Sequence, residues 1–273
     1  MLRYGVDREL VDYRYLKWSH TRNSSGTAGT FLKAYEETGG RKIYYKLSNF
    51  DYENGVVGHE CVNEIICDRL FSILGIDHLN YRLLHAEIEI DEREYETYLC
   101  ASDDFKGPGE SKIALDDYYD LNREAGESRM DFCERMGWQD EIFRMIAADF
   151  LIINRDRHGA NIEVLKSGTS CHLAPLFDHG LSLLFSVRDT EAAQNFDPMK
   201  DYPVQSFPGS HSLYENLQHI PKDRLPQLRR LDEKDRRFIL QDLQGILPDI
   251  YLEKIWEVIW RRWRYYEDLC DQR

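Results

Sequence analysis

Three polar side chains in the middle of the sequence have types and a spacing that could do chemistry: Asp156, Asn161 and Asp178. Asp156 and Asn161 have the D-x-x-x-x-N spacing of a phosphotransferase catalytic loop, and Asp178, two residues before Gly180, stands where a metal-binding aspartate would. In such chemistry one carboxylate accepts or orients the proton of a substrate hydroxyl. An amide oxygen and a second carboxylate hold Mg²⁺, a hard cation that prefers oxygen ligands.

A predicted hairpin would bring these three side chains together. An apolar segment, typical of the end of a helix, runs to about residue 152 and is followed by a polar loop. A short apolar strand, a turn at 166–169 and a second strand over 171–176 come next, and the second strand ends at Phe177. Any one of the three polar residues is explained as well by an N-cap or a salt bridge in a polar loop. Three in this order, with a hairpin between them, favour a catalytic site.

A lysine and a glutamate in the first third supply a complementary pair. Lys46 lies in a predicted strand over 42–47, on the face opposite Tyr45 and Leu47. A mid-strand lysine is usually a solvated edge charge, but here the following predicted helix carries Glu60 and Glu64. A strand lysine paired with a glutamate of the next helix is the arrangement by which kinases hold the α- and β-phosphates. Glu64 is preferred because it lies on the more buried stretch, and Glu60 is the alternative.

A segment of small residues precedes this pair. Ser25, Gly26 and Gly29 could let backbone N–H groups approach phosphates closely. A plain turn explains the same composition equally well. The whole segment is Ser24, Ser25, Gly26, Thr27, Ala28, Gly29 and Thr30.

The elements that would position these residues fall into two regions. Residues from about 15 to 101 are predicted to be strands with one helix, and residues from about 112 to 273 to be mostly helices. A hairpin over 31–36 and 42–47 would turn at Thr38-Gly39-Gly40, and a helix over 58–74 would end at Gly75. Two strands over 81–90 and 95–101 would follow, and then helices over 128–136, 139–152, 223–245 and 248–270.

The predicted fold class is therefore α+β with two lobes. Residues 1–105 would form a β-rich N-terminal lobe with one helix, and residues 106–273 a mostly helical C-terminal lobe. The boundary is predicted at Gly107-Pro108-Gly109, where a polar link meets turn-forming residues. The length of 273 residues suits either one large domain or two lobes of this size.

Composition narrows the classes of function. The net charge of −14 argues against direct nucleic-acid binding and against binding an anionic membrane surface, since both need basic surface. No apolar run approaches the ~20 residues of a membrane span. The N-terminal residues lack the apolar stretch of a secretory signal, and the six cysteines contain no C-x-x-C pair. We therefore expect a cytoplasmic protein with reduced thiols.

The order of the motifs resembles that of HipA-like kinases. These are bacterial serine/threonine kinases of the protein-kinase-like fold, related at the catalytic loop to phosphatidylinositol 3-/4-kinases. The resemblance covers about residues 18–220 and rests on the small-residue segment, Lys46, Glu64, the stretch 154–161 and Phe177-Asp178-His179-Gly180. It implies a two-lobed protein-kinase-like fold and an ATP- and Mg²⁺-dependent transferase.

The resemblance also implies roles for single residues. Asp156 would be the catalytic base, Asn161 and Asp178 the Mg²⁺ ligands, and Lys46 the phosphate anchor, while His158 would stabilise charge. The sequence departs from the family in having no room before Trp18 for the additional N-terminal subdomain of HipA toxins, so a kinase-core member is expected. It also has His179, not phenylalanine, after Asp178, which leaves the usual aromatic packing at this point open.

Three hypotheses compete for the function. The leading one is a protein serine/threonine kinase with a protein substrate, as a toxin with a DNA-binding antitoxin partner, and with autophosphorylation at Ser24 or Ser25. The second is a kinase that acts on a lipid or a small molecule. The third is a nucleotide-binding scaffold without catalysis, which is disfavoured because the chain retains Lys46, Asp156, Asn161 and Asp178.

Overall fold

The structure is a computed structural model that describes residues 5–19 and 31–271. The N-terminal part of this range contains most of the strands. In chain order its elements are β1 (Val6–Asp12), β2 (Lys33–Thr38), β3 (Arg41–Leu47), β4 (Phe50–Asp51), β5 (Gly55–Val56), α1 (Glu60–Leu74), β6 (Arg82–Ile90) and β7 (Arg93–Asp103).

A five-stranded sheet in the order β1-β6-β7-β3-β2 forms the base of this region. The hairpin β2–β3 and the pair β6–β7 are antiparallel, as predicted, and Gly39 and Gly40 adopt the positive φ angles of 62° and 77° that a tight two-residue turn needs. β1 was not predicted, and it pairs in parallel with β6 at the sheet edge. Most of its side chains are exposed, so it lacks the alternating apolar pattern that reveals a strand.

Helices make up most of the regular structure in the remaining described residues, which are called the helical region below. After a loop that contains Gly107-Pro108-Gly109, the elements are β8 (Ser111–Ala114), α2 (Leu115–Asn122), α3 (Arg129–Arg135), α4 (Gln139–Ile152), β9 (Asp156–Arg157), β10 (Glu163–Ser167), β11 (Ser170–Leu173), α5 (Thr190–Asn195), β12 (Gln205–Ser206), α6 (Leu213–Gln218), α7 (Arg236–Leu240) and α8 (Asp249–Asp271). β10 pairs with both β11 and β8. The predicted hairpin is therefore present, although its second strand ends at Leu173 and not at residue 176.

Helix α1 lies between the sheet and the helical region. Thirteen of its fifteen residues are buried, which makes it a core helix and not a surface one. Its apolar residues belong to one large cluster that also contains residues of α4 and α8. A smaller cluster, which includes Tyr45 and Leu47, lies on the other face of the sheet. Lys46 therefore points to the same side as α1.

The predicted helix over 223–245 is wrong. This stretch contains short 3₁₀ turns at Lys222–Arg224 and Glu233–Asp235 and only the five-residue helix α7. Pro226 breaks the helix, because proline has no N–H group and disfavours helical backbone at the preceding residue. Apolar residues of this stretch, among them Leu225 and Leu231, are nevertheless buried in the large cluster although they lie outside any α-helix.

Two further properties concern the environment of the protein. All six cysteines are free thiols, four of them buried. Among the helices of residues 5–19 and 31–271, none combines the length and the apolar character that crossing a bilayer requires.

Candidate active site

A cavity of about 1080 Å³ lies between the sheet and the helical region. Lys46 and Cys100, which are cross-strand partners in β3 and β7, form part of one wall. Glu163 and Asp178 line it from the hairpin side, and Phe105 lies in the loop that joins the two regions. Of the five residues on which the kinase motifs rest, Lys46 and Asp178 line this cavity, whereas Glu64, Asp156 and Asn161 do not.

Lys46 is the buried cation of the site. Its side chain is 11% exposed, and its ammonium group donates a hydrogen bond to Glu64 Oε1 at 2.9 Å and contacts the carboxylate of Asp178. Burial lowers the pKa of Lys46, but the charges of Asp178 and Glu64 outweigh it and hold this pKa well above its ordinary value. Lys46 is therefore charged, and its charge faces the cavity.

The helix glutamate in contact with Lys46 is Glu64 and not Glu60. The Glu64 carboxylate is fully buried and its Oε2 accepts a hydrogen bond from the backbone N–H of His179 at 2.8 Å. Glu60, one turn earlier, accepts a hydrogen bond from the backbone N–H of Asn49 at 3.0 Å. Helix α1 thus contacts both the strand lysine and the loop that carries Asp178.

Asp156 and Asn161 are in direct contact. The Asn161 side-chain amide donates to the Asp156 carboxylate at 3.1 Å and to its backbone carbonyl at 2.8 Å. Asn154 adds a third bond, since its side-chain oxygen accepts from the Asp156 N–H at 3.1 Å. The carboxylate remains 28% exposed. It is therefore held in one orientation and still open to a substrate.

His158 lies beside the same carboxylate. Its Nε2 is 3.5 Å from Asp156 Oδ1, and its Nδ1 accepts a hydrogen bond from the Ala160 N–H at 3.2 Å. A ring nitrogen that accepts carries no proton, so in the neutral ring the proton lies on Nε2 and points to Asp156. His158 can thus orient the carboxylate by hydrogen bonding.

Arg157, which the sequence analysis did not select, connects the parts of the site. Its guanidinium is buried and pairs with Asp149 at the end of α4, with Nη2 3.0 Å from Asp149 Oδ1. Its Nη1 donates to the backbone carbonyls of Asn161 at 3.2 Å and of Phe177 at 2.8 Å. The only sequence signal for this role was a charged residue, Asp149, within an otherwise apolar helix end.

Because a single guanidinium nitrogen of Arg157 binds both carbonyls, it holds the backbone at Asn161 close to the backbone at Phe177, the residue before Asp178. An amide oxygen and a carboxylate are hard donors, and Mg²⁺ sites use one or two protein carboxylates and complete the shell with water and substrate phosphates. The residues present fit Mg²⁺ in this respect. Asp178 and Asn161 are the ones that would hold it.

Asp178 has an unusual backbone conformation. Its φ angle is 59°, in the left-handed region that non-glycine residues rarely adopt and that clusters at functional sites. Two residues later, a Cβ atom on Gly180 would lie 3.1 Å from Glu60 Cβ and 3.3 Å from Lys46 Nζ. The glycine of the D-x-G motif is explained by this close approach of the loop to α1.

His179 takes the place of the usual aromatic residue after the aspartate. It is buried and packs edge-on against Phe71 of α1, with ring centroids 4.9 Å apart. Burial and the Arg157 charge lower its pKa well below the ordinary value. It is therefore a neutral ring, and its Nδ1 accepts a hydrogen bond from Arg157 at 3.0 Å.

The candidate phosphate loop falls on a part of the chain that is not described. Ser24, Ser25, Gly26 and Gly29 lie outside the described residues. Just after them, the ring centroid of Phe31 lies 5.0 Å from the Lys46 ammonium. The phosphate contacts of residues 24–30 stay a prediction.

Comparisons with known proteins extend these observations. No protein-family model and no curated protein matches the chain. Among solved structures, the Helicobacter pylori proinflammatory kinase CtkA is 14% identical with a TM-score of 0.64, and the alignment covers 97% of this chain and 98% of CtkA.

Two other solved structures are more distant. HipA of Shewanella oneidensis MR-1, in a complex with HipB and operator DNA, is 16% identical with a TM-score of 0.43 over 90% of this chain and 67% of HipA. WaaP in complex with acyl carrier protein is 13% identical with a TM-score of 0.39 over 93% of this chain and 90% of WaaP. The likeness to CtkA, over nearly all of both chains, shows that this chain has a protein-kinase-like α+β fold, as the resemblance implies.

Proposed function

We propose that the protein is a kinase that uses ATP and Mg²⁺ to phosphorylate serine or threonine hydroxyls of a protein substrate. The observation that carries this proposal is the buried, charged Lys46, which contacts Glu64 of α1 and Asp178 at the wall of a large cavity. Besides these two contacts, Lys46 lines the cavity, so its ammonium group can also bind a further anion there. Nucleotide phosphates are such anions, and kinases hold them at a strand lysine that is paired with a helix glutamate.

Each residue of the site then has a role in the transfer. Lys46 binds the α- and β-phosphates, and Asn161 and Asp178 hold the metal. Mg²⁺, when bound, neutralises negative charge on the phosphates. Asp156 accepts the proton of the substrate hydroxyl while the hydroxyl oxygen attacks the γ-phosphorus of ATP. ADP leaves with the electrons of the broken P–O bond. His158 and Asn161 orient the Asp156 carboxylate through their contacts with it.

Several finer statements stay predictions. The toxin role, a DNA-binding antitoxin as partner and autophosphorylation at Ser24 or Ser25 depend on the resemblance, whereas the cytoplasmic location and the division into lobes at 105/106 depend on patterns in the sequence. We keep them as predictions of the proposed function.

Thermal unfolding and phosphoryl transfer test the proposal together. MgATP at about a hundredfold above its Kd should raise the Tm by about 5 °C or more, because it binds only the folded state. Asp156→Asn should keep this shift and lose about 10²–10⁴-fold of the transfer of labelled phosphate to proteins of a cell lysate, because the amide keeps the shape and cannot accept the proton. Lys46→Met and Asp178→Ala should lose most of the shift.

A matched control is Lys166→Met, which removes an exposed lysine of β10. It should keep both the shift and the transfer. No shift in the wild-type protein would refute the nucleotide site. A shift without transfer in the wild-type protein would favour the scaffold hypothesis, and label on a lipid or small molecule, with none on protein, would favour the second hypothesis.

A further inference from the structure

A buried asparagine of α1 contacts the loop that carries Asp178. Asn63 is fully buried, and its side-chain nitrogen donates to the backbone carbonyls of Gly180 at 3.0 Å and Ser182 at 2.9 Å. Its side-chain oxygen is buried and has no hydrogen-bond partner within residues 5–19 and 31–271. A leucine would fill a similar volume without this unsatisfied oxygen. The two donor hydrogens are therefore what the asparagine contributes.

A second residue of α1 is also hydrogen-bonded to the backbone of this loop. The next residue, Glu64, accepts a hydrogen bond from the His179 N–H, so two consecutive residues of α1 bind residues 179, 180 and 182 of the loop. The close approach of Gly180 to Glu60 and Lys46 shows how tightly the loop lies on the helix.

Asp178 depends on this support. A non-glycine residue at a φ of 59° is strained and keeps that conformation only where its surroundings enforce it. On the other side of the loop, the Leu183 N–H donates to the Ile152 carbonyl at 2.7 Å and the Leu181 carbonyl accepts from the Arg155 N–H at 3.1 Å. Asp178 itself is also held by the bond from its N–H to the Tyr81 hydroxyl at 3.2 Å and by its contact with Lys46. The bonds from Asn63 add to these contacts by tying residues 180 and 182 to α1.

We infer that Asn63 is a positioning residue for Asp178, and that it sets the affinity of the nucleotide site for Mg²⁺. This inference rests on the proposed function, in which Asp178 is a metal ligand. Asn63 itself touches neither metal nor nucleotide. It acts by holding the 179–182 backbone, so that the Asp178 carboxylate stays directed into the cavity. Residues that orient metal ligands typically contribute about 10–100-fold to metal affinity.

A Mg²⁺ titration of nucleotide binding tests this inference without relying on turnover. Calorimetry with a non-hydrolysable ATP analogue is performed at increasing Mg²⁺ for the wild-type protein and for Asn63→Leu. We expect the Mg²⁺ concentration at half-maximal effect to rise by about 10-fold or more in the variant. The affinity for the metal-free analogue should change less than about threefold, because Lys46 and Glu64 remain paired.

The matched control is Asn216→Leu. Asn216 is also a buried asparagine with two bonds to loop backbone, to the Ser210 N–H at 2.6 Å and the Ser210 carbonyl at 3.0 Å, but it lies in α6. A purely structural role would lower stability in both variants and leave the Mg²⁺ dependence unchanged in both. If Asn63→Leu does not fold, Asn63→Ser, which keeps one donor, is titrated in its place and should show a smaller rise.

The outcomes separate the two proposals. A wild-type Mg²⁺ dependence in a folded Asn63 variant would overturn the inference and leave the kinase proposal intact. Failure of the wild-type protein to bind the analogue, or binding that does not depend on Mg²⁺, would overturn both. Equal losses of Mg²⁺ affinity in the Asn63 and Asn216 variants would also overturn the inference.

Discussion

Arg157 joins several parts of the site. Its buried guanidinium bonds to the Asp149 carboxylate, to two backbone carbonyls and to His179. Burial lowers its pKa, but the Asp149 charge outweighs this and raises the pKa above its ordinary value, so Arg157 is always charged. A buried ion pair contributes little net stability compared with apolar residues, but losing one partner leaves an isolated charge.

Arg157→Met should lower the free energy of unfolding by about 3–5 kcal/mol, because the Asp149 carboxylate would stay buried without its partner. The double variant Arg157→Met/Asp149→Leu should recover a large part of this loss. Urea unfolding measures both. The exposed pair Arg41–Asp103 is the control, since Arg41→Met should cost about 1 kcal/mol or less. A double variant no more stable than Arg157→Met would contradict the buried-charge explanation.

At the scale of elements, α1 joins the parts of the site. A buried histidine, His59, directly precedes its first residue. His59 packs edge-on against Tyr251 of α8, with ring centroids 5.5 Å apart. Burial and then the nearby charge of Arg188 lower the pKa of His59 to about 4. A histidine with a lowered pKa in the folded state adds stability above its unfolded pKa of about 6.5, and this stability is lost as the pH falls toward 4.

The pH dependence of unfolding should therefore carry a contribution from His59. Between pH 7.5 and pH 5 the linkage amounts to about 2 kcal/mol of lost stability. His59→Leu should show a correspondingly flatter loss over this range in urea unfolding at each pH. His172→Leu, at a histidine whose side chain is 55% exposed, is the control for loss of an imidazole. If the free energy of unfolding falls equally steeply with pH in the wild type and in His59→Leu, protonation of the His59 ring does not destabilise the folded state.

At the scale of the whole molecule, the sheet and the helical region share one core. The large apolar cluster contains residues of α1, β6 and β7 together with residues of α4 and α8. Arg69 of α1 donates to the backbone carbonyl of Ile239 in α7 at 3.0 Å and to that of Gln241, just after α7, at 2.7 Å. Arg8 of β1 donates to those of Asp242 and Gln244.

We therefore expect the chain to unfold in one cooperative transition. Calorimetric and van't Hoff enthalpies should agree, because neither region can keep its part of the shared core alone. Fragments 1–105 and 106–273, divided at the predicted boundary, should each lack a cooperative transition in circular dichroism. Two separate transitions in the full chain, or a fragment that unfolds cooperatively, would instead show two independent folding units.

Local patterns in the sequence determined a large part of the fold. The helices α1, α4 and α8 and the hairpins β2–β3 and β10–β11 follow from apolar periodicity and turn residues, which act over a few neighbouring positions. The D-x-x-x-x-N and D-x-G spacings likewise identified Asp156, Asn161 and Asp178 as candidates. These features need no information about distant parts of the chain.

Only the tertiary structure decided which distant residues meet. The sequence favoured Glu64 over Glu60 on burial, but both side chains are buried in the structure, so the contact of Glu64 with Lys46 depends on where β3 lies against α1. The Arg157–Asp149 pair and the contacts of Asn63 join segments from different elements. The exposed strand β1 and the irregular stretch before α7 are stabilised by long-range packing, which overrides local propensity.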